Sequence, residues 1–93
     1  MIKHIVMWKF KPETEAEQTE FLTGLQNLYG VIPQIRAQEV GKIVAPGNYD
    51  AVLISTFDTL EDLQAYKTDP RHVKVSSLCK AIRTDRVAVD MEV

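Results

Sequence analysis

Residues 49–57 read Tyr-Asp-Ala-Val-Leu-Ile-Ser-Thr-Phe, and this stretch decides how the fold can be built. Its centre, Ala51 to Ile54, is continuously apolar, although successive side chains of a strand point to opposite faces of a sheet. Such a strand is typical of a sheet that is covered on both sides. The turn residues Pro46-Gly47-Asn48 before it predict a hairpin with a more polar second strand over residues 35–44.

The two ends of the chain predict two further strands. Residues 2–10 alternate, and the alternation predicts one shared face for five side chains: Ile2, His4, Val6, Trp8 and Phe10. Residues 86–93 alternate as well, and the pattern predicts an inward-facing set: Val87, Val89, Met91 and Val93. With the strands at 35–44 and 49–57, the sheet therefore has four strands.

A helix is predicted between the first and second strands. Thr14 and Glu17 have the spacing of a capping box, in which each side chain accepts a hydrogen bond from the backbone N–H of the other residue at the start of a helix. Apolar residues then recur at helical spacing from Phe21 to Tyr29. Gly30 is the predicted end, because glycine is common just after the last turn.

Two more helices are predicted between the third and fourth strands. Thr59 and Asp62 cap the first of them, and Asp69-Pro70 ends it while supplying an N-cap and an N1 proline for the next, near Arg71. The element order is then strand, helix, strand, strand, helices, strand. This order predicts an α+β fold of the ferredoxin-like split β-α-β type, with a four-stranded antiparallel sheet and the helices on one face.

Length and composition limit the classes of function. A chain of 93 residues is the size of a single domain, here residues 1–93. The net charge is −2 and the 11 Lys and Arg residues are scattered, so nucleic acid is not an expected partner. The apolar start is interrupted by Lys3, His4 and Lys9, and no membrane span or membrane partner is expected. With one cysteine, Cys79, the expected location is the cytoplasm.

The sheet is predicted to be apolar on both faces, whereas the helices can cover only one. Ile5 and Met7 of the first strand, with alternating positions of the third, make up the second face. A second copy stacked about a twofold axis is the simplest cover, so a homodimer is expected. The alternative is that Ile5, Met7, Val52 and Ile54 are scattered surface hydrophobes, which are individually common.

Several segments in order resemble one family: residues 1–10, Ile32-Pro33-Gln34-Ile35, Tyr49-Asp50 and 57–75. The most specific are the run from Leu60 to Val73 and the closing Val87-Ala88-Val89-Asp90. Together they resemble the stress-responsive dimeric A/B-barrel (Dabb) family over nearly the whole chain. The resemblance implies a dimeric α/β barrel with a cavity in each subunit between sheet and helices. It implies no single activity, because the family includes stress-induced plant proteins, a plant polyketide cyclase and many unassigned bacterial members.

The resemblance also implies site residues. Tyr66 and His72 match a tyrosine and a histidine that the plant cyclase uses, and His4 matches a further histidine of its cavity. With an ordinary pKa of about 6.5, His72 would act as the base. Tyr66 would donate a hydrogen bond to a carbonyl oxygen, and His4 would orient the substrate or His72. The cyclase pattern His-Pro-x-His reads Asp69-Pro70-Arg71-His72 here, so the identity of its substrate is not carried over.

Three interpretations of these residues stay open. His72 can be a first-turn residue packed on the sheet, with Tyr66 a core aromatic. The cavity can bind a small, partly apolar ligand without turning it over. Alternatively, the chain is a cofactor-independent cyclase, lyase or isomerase that removes a proton next to a carbonyl. Trp8 is either a ligand-binding residue of the cavity or part of the core.

No cofactor is expected, with one exception that the resemblance implies. A plant member of the family holds a magnesium ion through backbone carbonyls at a region that corresponds to Tyr29, Ile32 and Ile35 here. Backbone carbonyls suit a hard cation but have no sequence signature. Zinc is not expected, because His4 and His72 lie far apart in sequence and Cys79 is the only cysteine.

Overall fold

The computed structural model describes all residues from 1 to 93 and contains four strands and three helices. In chain order they are β1 (Ile2–Phe10), α1 (Glu15–Gln26), β2 (Ala37–Lys42), β3 (Ala51–Phe57), α2 (Leu60–Thr68), α3 (Pro70–Lys80) and β4 (Arg83–Glu92). The predicted order of elements is confirmed. No helix of the structure combines the length and the apolar character that crossing a membrane requires.

The four strands form one antiparallel sheet in the order β2-β3-β1-β4. β1 is therefore central, and its residues have partners on both sides. Ile5 lies opposite Ile54 of β3 and Val89 of β4, whereas His4 lies opposite Ser55 and Asp90. Since side chains alternate along each strand, these two rows belong to opposite faces of the sheet.

The helix-covered face of the sheet carries the core. The buried side chains of β1 on this face are the predicted set, Ile2, His4, Val6, Trp8 and Phe10. Phe21 of α1 packs edge-on against Trp8, with ring centroids 5.0 Å apart. α1 and α3 approach closely at Gly24, where a Cβ atom would lie 3.0 Å from Cγ1 of Val75. This approach holds α3 over the sheet.

The predicted orientation of the last strand is wrong. The register places Arg86 opposite Trp8 and Asp90 opposite His4, so these polar residues share the helix-covered face. The apolar set predicted to point inward lies on the other face instead: Val87, Val89, Met91 and Val93. The physical reason is that β4 is an edge strand. The helix layer leaves much of its inner side in contact with water, which polar side chains tolerate.

The start of α1 also differs from the prediction. The Thr14 side chain accepts no backbone N–H and forms no capping box with Glu17. Its Oγ1 donates to the Lys11 carbonyl at 2.7 Å and accepts from Nε2 of Gln18 at 3.0 Å. α1 ends at Gln26, and the turns that follow reach Gly30, whose φ of 86° suits glycine.

The two predicted caps before α2 and α3 are confirmed. Thr59 Oγ1 accepts the backbone N–H of Asp62 at 3.1 Å, and Asp69 Oδ1 accepts that of Arg71 at 2.9 Å. Pro70 occupies the first turn of α3, where its missing N–H costs nothing. The break between the helices is therefore encoded locally, and it fixes where the first turn of α3 meets the sheet.

The uncovered sheet face carries an apolar strip along its centre. Val89, Ile5 and Ile54 form one row across three strands, and Met7 lies between Val52 and Val87 in the next. In the single chain Val89 is 55% exposed. The prediction of a second apolar face is confirmed, and β4 contributes to this face although the sequence pattern assigned its valines to the interior.

The aromatic contact between α1 and the sheet provides a test of the core. Replacing Phe21 with alanine is expected to lower the free energy of unfolding by about 3–5 kcal/mol, because it leaves a cavity beside Trp8. Val44→Ala, at a side chain that is 97% exposed, is the control and should change it by less than about 0.5 kcal/mol. Urea unfolding at equal protein concentration measures both; equal effects would contradict the described packing.

Candidate functional site

A small cavity lies between the helix-covered face of the sheet and the helices. Its volume is about 30 Å³, room for one or two water molecules. Twelve residues line it: His4, Val6, Trp8, Phe21, Leu25, Leu53, Tyr66, His72, Ser76, Cys79, Arg83 and Arg86. Polar groups therefore gather at one point of an otherwise apolar core.

Three elements bring His4, Tyr66 and His72 together. His4 comes from the centre of β1, Tyr66 is fully buried in α2, and His72 lies in the first turn of α3. The ring of Tyr66 lies between the other two, with centroids 4.2 Å from His72 and 6.3 Å from His4. The position of His72 follows from the Asp69-Pro70 break, which starts α3 beside the end of α2.

His4 is held by a carboxylate. Its Nδ1 lies 2.5 Å from Oδ1 of Asp90, the residue opposite it on β4, and Oδ2 of Asp90 lies 3.6 Å from Nζ of Lys67. Burial lowers the pKa of His4, although the hydrogen bond and charge of Asp90 oppose this. Burial acts to raise the pKa of Asp90, but His4 and Lys67 bring it below its ordinary value. A neutral imidazole therefore donates to an ionised carboxylate.

His72 is held by the backbone. Its Nδ1 lies 3.2 Å from the carbonyl oxygen of Lys67, which belongs to the last turn of α2, before the Asp69-Pro70 break. A carbonyl only accepts, so Nδ1 carries the proton and Nε2 is left with a lone pair. Burial lowers the pKa of His72, with the hydrogen bond to the Lys67 carbonyl opposing this and the positive charge of Arg86 adding to it. His72 is therefore neutral at pH 7.

The hydroxyl of Tyr66 is buried and has no hydrogen-bond partner within the chain. Leaving such a group unsatisfied costs about 1–3 kcal/mol, which native structures normally avoid. Burial raises the pKa of Tyr66 far above its ordinary value, so the phenol stays protonated at neutral pH. A polar molecule in the cavity would satisfy it.

Positive charge borders the cavity. Arg83 and Arg86 line it, whereas no Asp or Glu is among the lining residues. Neither guanidinium lies within 4 Å of a carboxylate, in contrast to those of Arg36 and Arg71. Cys79 is buried at the cavity wall, and its pKa is raised by that burial, so it remains a thiol.

The structure brings all four residues implied for the cavity, His4, Tyr66, His72 and Trp8, to its lining. Trp8 is only 4% exposed and packs on Phe21, so it belongs to the core and the cavity wall alike.

Sequence reasoning missed three residues: Asp90, Arg83 and Arg86. For Asp90 and Arg86 the available signal is the alternation of β4, whose polar half is predicted to face away from the site. Arg83 lies before the predicted strand of residues 86–93 and reaches the cavity through a register shift that the sequence pattern does not show.

The residues implied for magnesium lie together in the turns after α1. Tyr29 and Ile32 form an isolated β-bridge, and the Ile35 N–H donates to the Ile32 carbonyl at 3.2 Å. One of the three carbonyls therefore already accepts a hydrogen bond. No group of three or more His, Cys, Asp or Glu side chains is positioned to hold a metal. Magnesium at Tyr29, Ile32 and Ile35 stays a prediction.

Comparison with known proteins supports the fold. A dimeric protein of unknown function with a ferredoxin-like fold, from Bacteroides fragilis, superposes with a TM-score of 0.91. The two chains are 31% identical, and the match covers 99% of this chain and 95% of the other. The predicted ferredoxin-like α+β fold is thus confirmed.

Sequence comparison identifies relatives. Olivetolic acid cyclase of Cannabis sativa is 36% identical over 77 residues, which cover 77% of this chain and 76% of the cyclase. The stress-response A/B barrel domain-containing protein HS1 of Arabidopsis thaliana is 29% identical over 82 residues, covering 83% and 75%. The family model of the stress responsive A/B barrel domain matches residues 2–93. This chain therefore belongs to the stress responsive A/B barrel family.

Proposed function

We propose that this protein binds a small carbonyl compound in the cavity and catalyses the removal of a proton from the carbon next to the carbonyl. The observation that carries the proposal is the unpartnered hydroxyl of Tyr66, buried between two imidazoles in a cavity. A carbonyl oxygen is the acceptor that this hydroxyl lacks. No cofactor takes part in the proposed reaction.

The base in this proposal is His72. Its Nδ1 donates to the Lys67 carbonyl, so the lone pair on Nε2 is the group that can accept a proton. A lowered pKa keeps the ring neutral at pH 7 and therefore ready to accept. The departure of a proton from carbon to Nε2 produces an imidazolium and leaves the electron pair in an enolate.

Tyr66 would stabilise that enolate. Its hydroxyl stays protonated because burial raises its pKa, so it acts as a donor rather than a base. As the α-carbon loses its proton, negative charge moves to the carbonyl oxygen, where the Tyr66 O–H donates. Return of the proton from His72 to a different carbon would complete an isomerisation. In a cyclisation the enolate carbon would attack a second carbonyl, whose π electrons move to its oxygen, and that alkoxide would take the proton back from His72.

His4 and Asp90 would hold the other side of the substrate. The Asp90 carboxylate fixes the Nδ1–H tautomer of His4, as a carboxylate does for the histidine of a hydrolase triad. Nε2 of His4 is then an acceptor. It can orient an enol or hydroxyl group of the substrate by accepting the hydrogen bond of that group.

The volume of the cavity limits what it can contain. Drug-sized ligands need pockets of about 300–1,000 Å³, whereas this cavity measures about 30 Å³. It therefore fits only the reacting end of a ligand, a carbonyl and its neighbouring carbon. The remainder of the ligand would lie outside the cavity, next to the lining residues Arg83 and Arg86.

The relative named olivetolic acid cyclase supports a cyclase-type reaction. Binding without turnover is the second candidate, and the small cavity favours it because an enzyme must enclose its substrate. The two candidates share the same pocket and differ only in whether His72 moves a proton. Location in the cytoplasm stays a prediction.

The protein is further proposed to be a homodimer that pairs the uncovered sheet faces. The apolar rows of Ile5 and Met7 need a cover, and a second copy supplies a self-complementary one. The Bacteroides fragilis neighbour, which has the same fold, is described as dimeric. Stacking of two such sheets would produce the dimeric α/β barrel.

The Tyr66→Phe variant tests whether the Tyr66 hydroxyl acts in catalysis or only stabilises the fold. The variant should change the free energy of unfolding by less than about 1 kcal/mol, because the hydroxyl has no internal partner to lose. It should slow exchange of the α-protons of methyl acetoacetate in D₂O about 100-fold to 1,000-fold relative to the wild-type protein. Proton NMR follows the exchange, with the spontaneous rate subtracted.

Two variants serve as references for this experiment. Tyr49→Phe removes a hydroxyl that contacts Asp85 outside the cavity and should leave exchange unchanged. His72→Gln should abolish catalysed exchange. Wild-type protein that binds the probe without accelerating exchange would refute turnover and support the binding module.

The protonation states give a pH prediction. The chain has two histidines, and burial lowers the pKa of both below 6.5. The unfolded chain therefore binds more protons near pH 6, and the free energy of unfolding should fall as the pH drops below 6.5. Imidazole NMR at pH 7 should show both rings neutral with the proton on Nδ1. His72→Gln should reduce the pH slope; a charged ring at pH 7 would contradict the assignment.

The dimer is tested on the uncovered face. The wild-type protein should sediment at twice the chain mass of 10.6 kDa, and Ile5→Glu should sediment as a single chain because it places a charge in the apolar row. Leu60→Glu, at an exposed position of α2, is the control and should stay dimeric. A monomeric wild-type protein at micromolar concentration would disprove the homodimer.

A further inference from the structure

Two arginines line the cavity, and the proposed removal of a proton from a neutral ketone does not require their positive charge. The chain as a whole has a net charge of −2, yet the cavity lining contains Arg83 and Arg86 and no Asp or Glu. The carboxylate that contacts His4, that of Asp90, is already engaged by His4 and Lys67, and no carboxylate lies within 4 Å of the guanidinium of Arg83 or Arg86. The positive charge at the mouth is therefore uncompensated by the chain itself.

Both arginines are placed by β4 rather than by loops. Arg86 lies opposite Trp8 in the register and Arg83 lies opposite Phe10, beyond the bulge at Lys9 and Phe10. The bulge brings Arg83 to the same cavity as Arg86 although the two are an odd number of residues apart. Two guanidinium groups thus border one small volume.

Arg86 also lies within electrostatic reach of the reacting groups. Besides burial, the charge of Arg86 contributes to the lowered pKa of both His4 and His72 and opposes the raised pKa of Tyr66. A negative charge bound at Arg86 would therefore lie beside the carbonyl group that Tyr66 binds. A planar guanidinium matches a carboxylate, with which it forms two parallel hydrogen bonds.

We propose that Arg83 and Arg86 bind the carboxylate of a small keto acid whose carbonyl enters the cavity toward Tyr66. This inference deepens the proposed function and rests on it for the placement of the carbonyl. The substrate class is an organic acid with a carbonyl a few bonds from its carboxylate. Phosphate is less suited, because the cavity offers no glycine-rich loop of backbone N–H groups among its lining residues.

The test compares acetoacetate with methyl acetoacetate, which has the same ketone but no charge. Binding is measured by NMR titration of the backbone amides of β4 and α3, independently of any turnover. Acetoacetate should bind about tenfold or more tightly than the ester, the effect of charge-assisted hydrogen bonds. Arg86→Met and Arg83→Met should each reduce this preference, and the double variant should abolish it.

Arg36→Met is the matched control, since Arg36 pairs with Asp58 and does not line the cavity. It should keep the preference for the acid. Equal affinity for acid and ester, or no saturable binding of acetoacetate, would overturn the inference. So would inorganic phosphate binding as tightly as acetoacetate with the same dependence on Arg86.

The two proposals fail in different ways. Preferential binding of acetoacetate without α-proton exchange would leave the carboxylate site standing and refute catalysis. Exchange of the ester that equals exchange of the acid would refute the carboxylate site and leave the proposed chemistry standing.

Discussion

The structure depends on the pairing of β1 with a strand on each side. Because this strand is central, its alternation assigns every neighbouring side chain to one of two faces. His4 is consequently buried on the same side as Trp8, next to Asp90 across the ladder. The core, the cavity and the uncovered apolar face all follow from that one arrangement of hydrogen bonds.

Around this sheet, the two imidazoles of the cavity are each held by a fixed partner. Asp90 holds His4 and the Lys67 carbonyl holds His72, whereas the Tyr66 hydroxyl has no partner. Both imidazoles are therefore oriented before a ligand arrives, which reduces the entropic cost of binding one. The chemistry of proton transfer from carbon requires such prior orientation, because the acceptor atom must lie close to a weakly acidic hydrogen.

Most of the fold could be predicted from the sequence, because the local signals for helix ends and strands agree with the tertiary packing of the chain. Three local signals each predict one structure: a helix break at Asp69-Pro70, a helix cap at Thr59 and a strand at Ala51–Ile54. The structure contains all three. The error on β4 has another origin. Alternation in a sequence predicts a strand but not which of its two sets of side chains faces the core. At the edge of a sheet the polar set can face the helices, as it does in β4. The sequence pattern therefore did not indicate Asp90 and Arg86 as site residues. Arg83 was missed because β4 begins earlier than predicted and contains a bulge.

Because these polar groups lie on an edge strand, the charge beside the cavity and the stability of the core depend on different residues. Arg83 and Arg86 are not among the 17 residues of the hydrophobic core, so they can be exchanged at little cost in stability. Trp8, Phe21 and Tyr66 are core residues and cannot. Evolution of such a domain can therefore alter the charge beside the cavity while conserving the scaffold and the trio of His4, Tyr66 and His72.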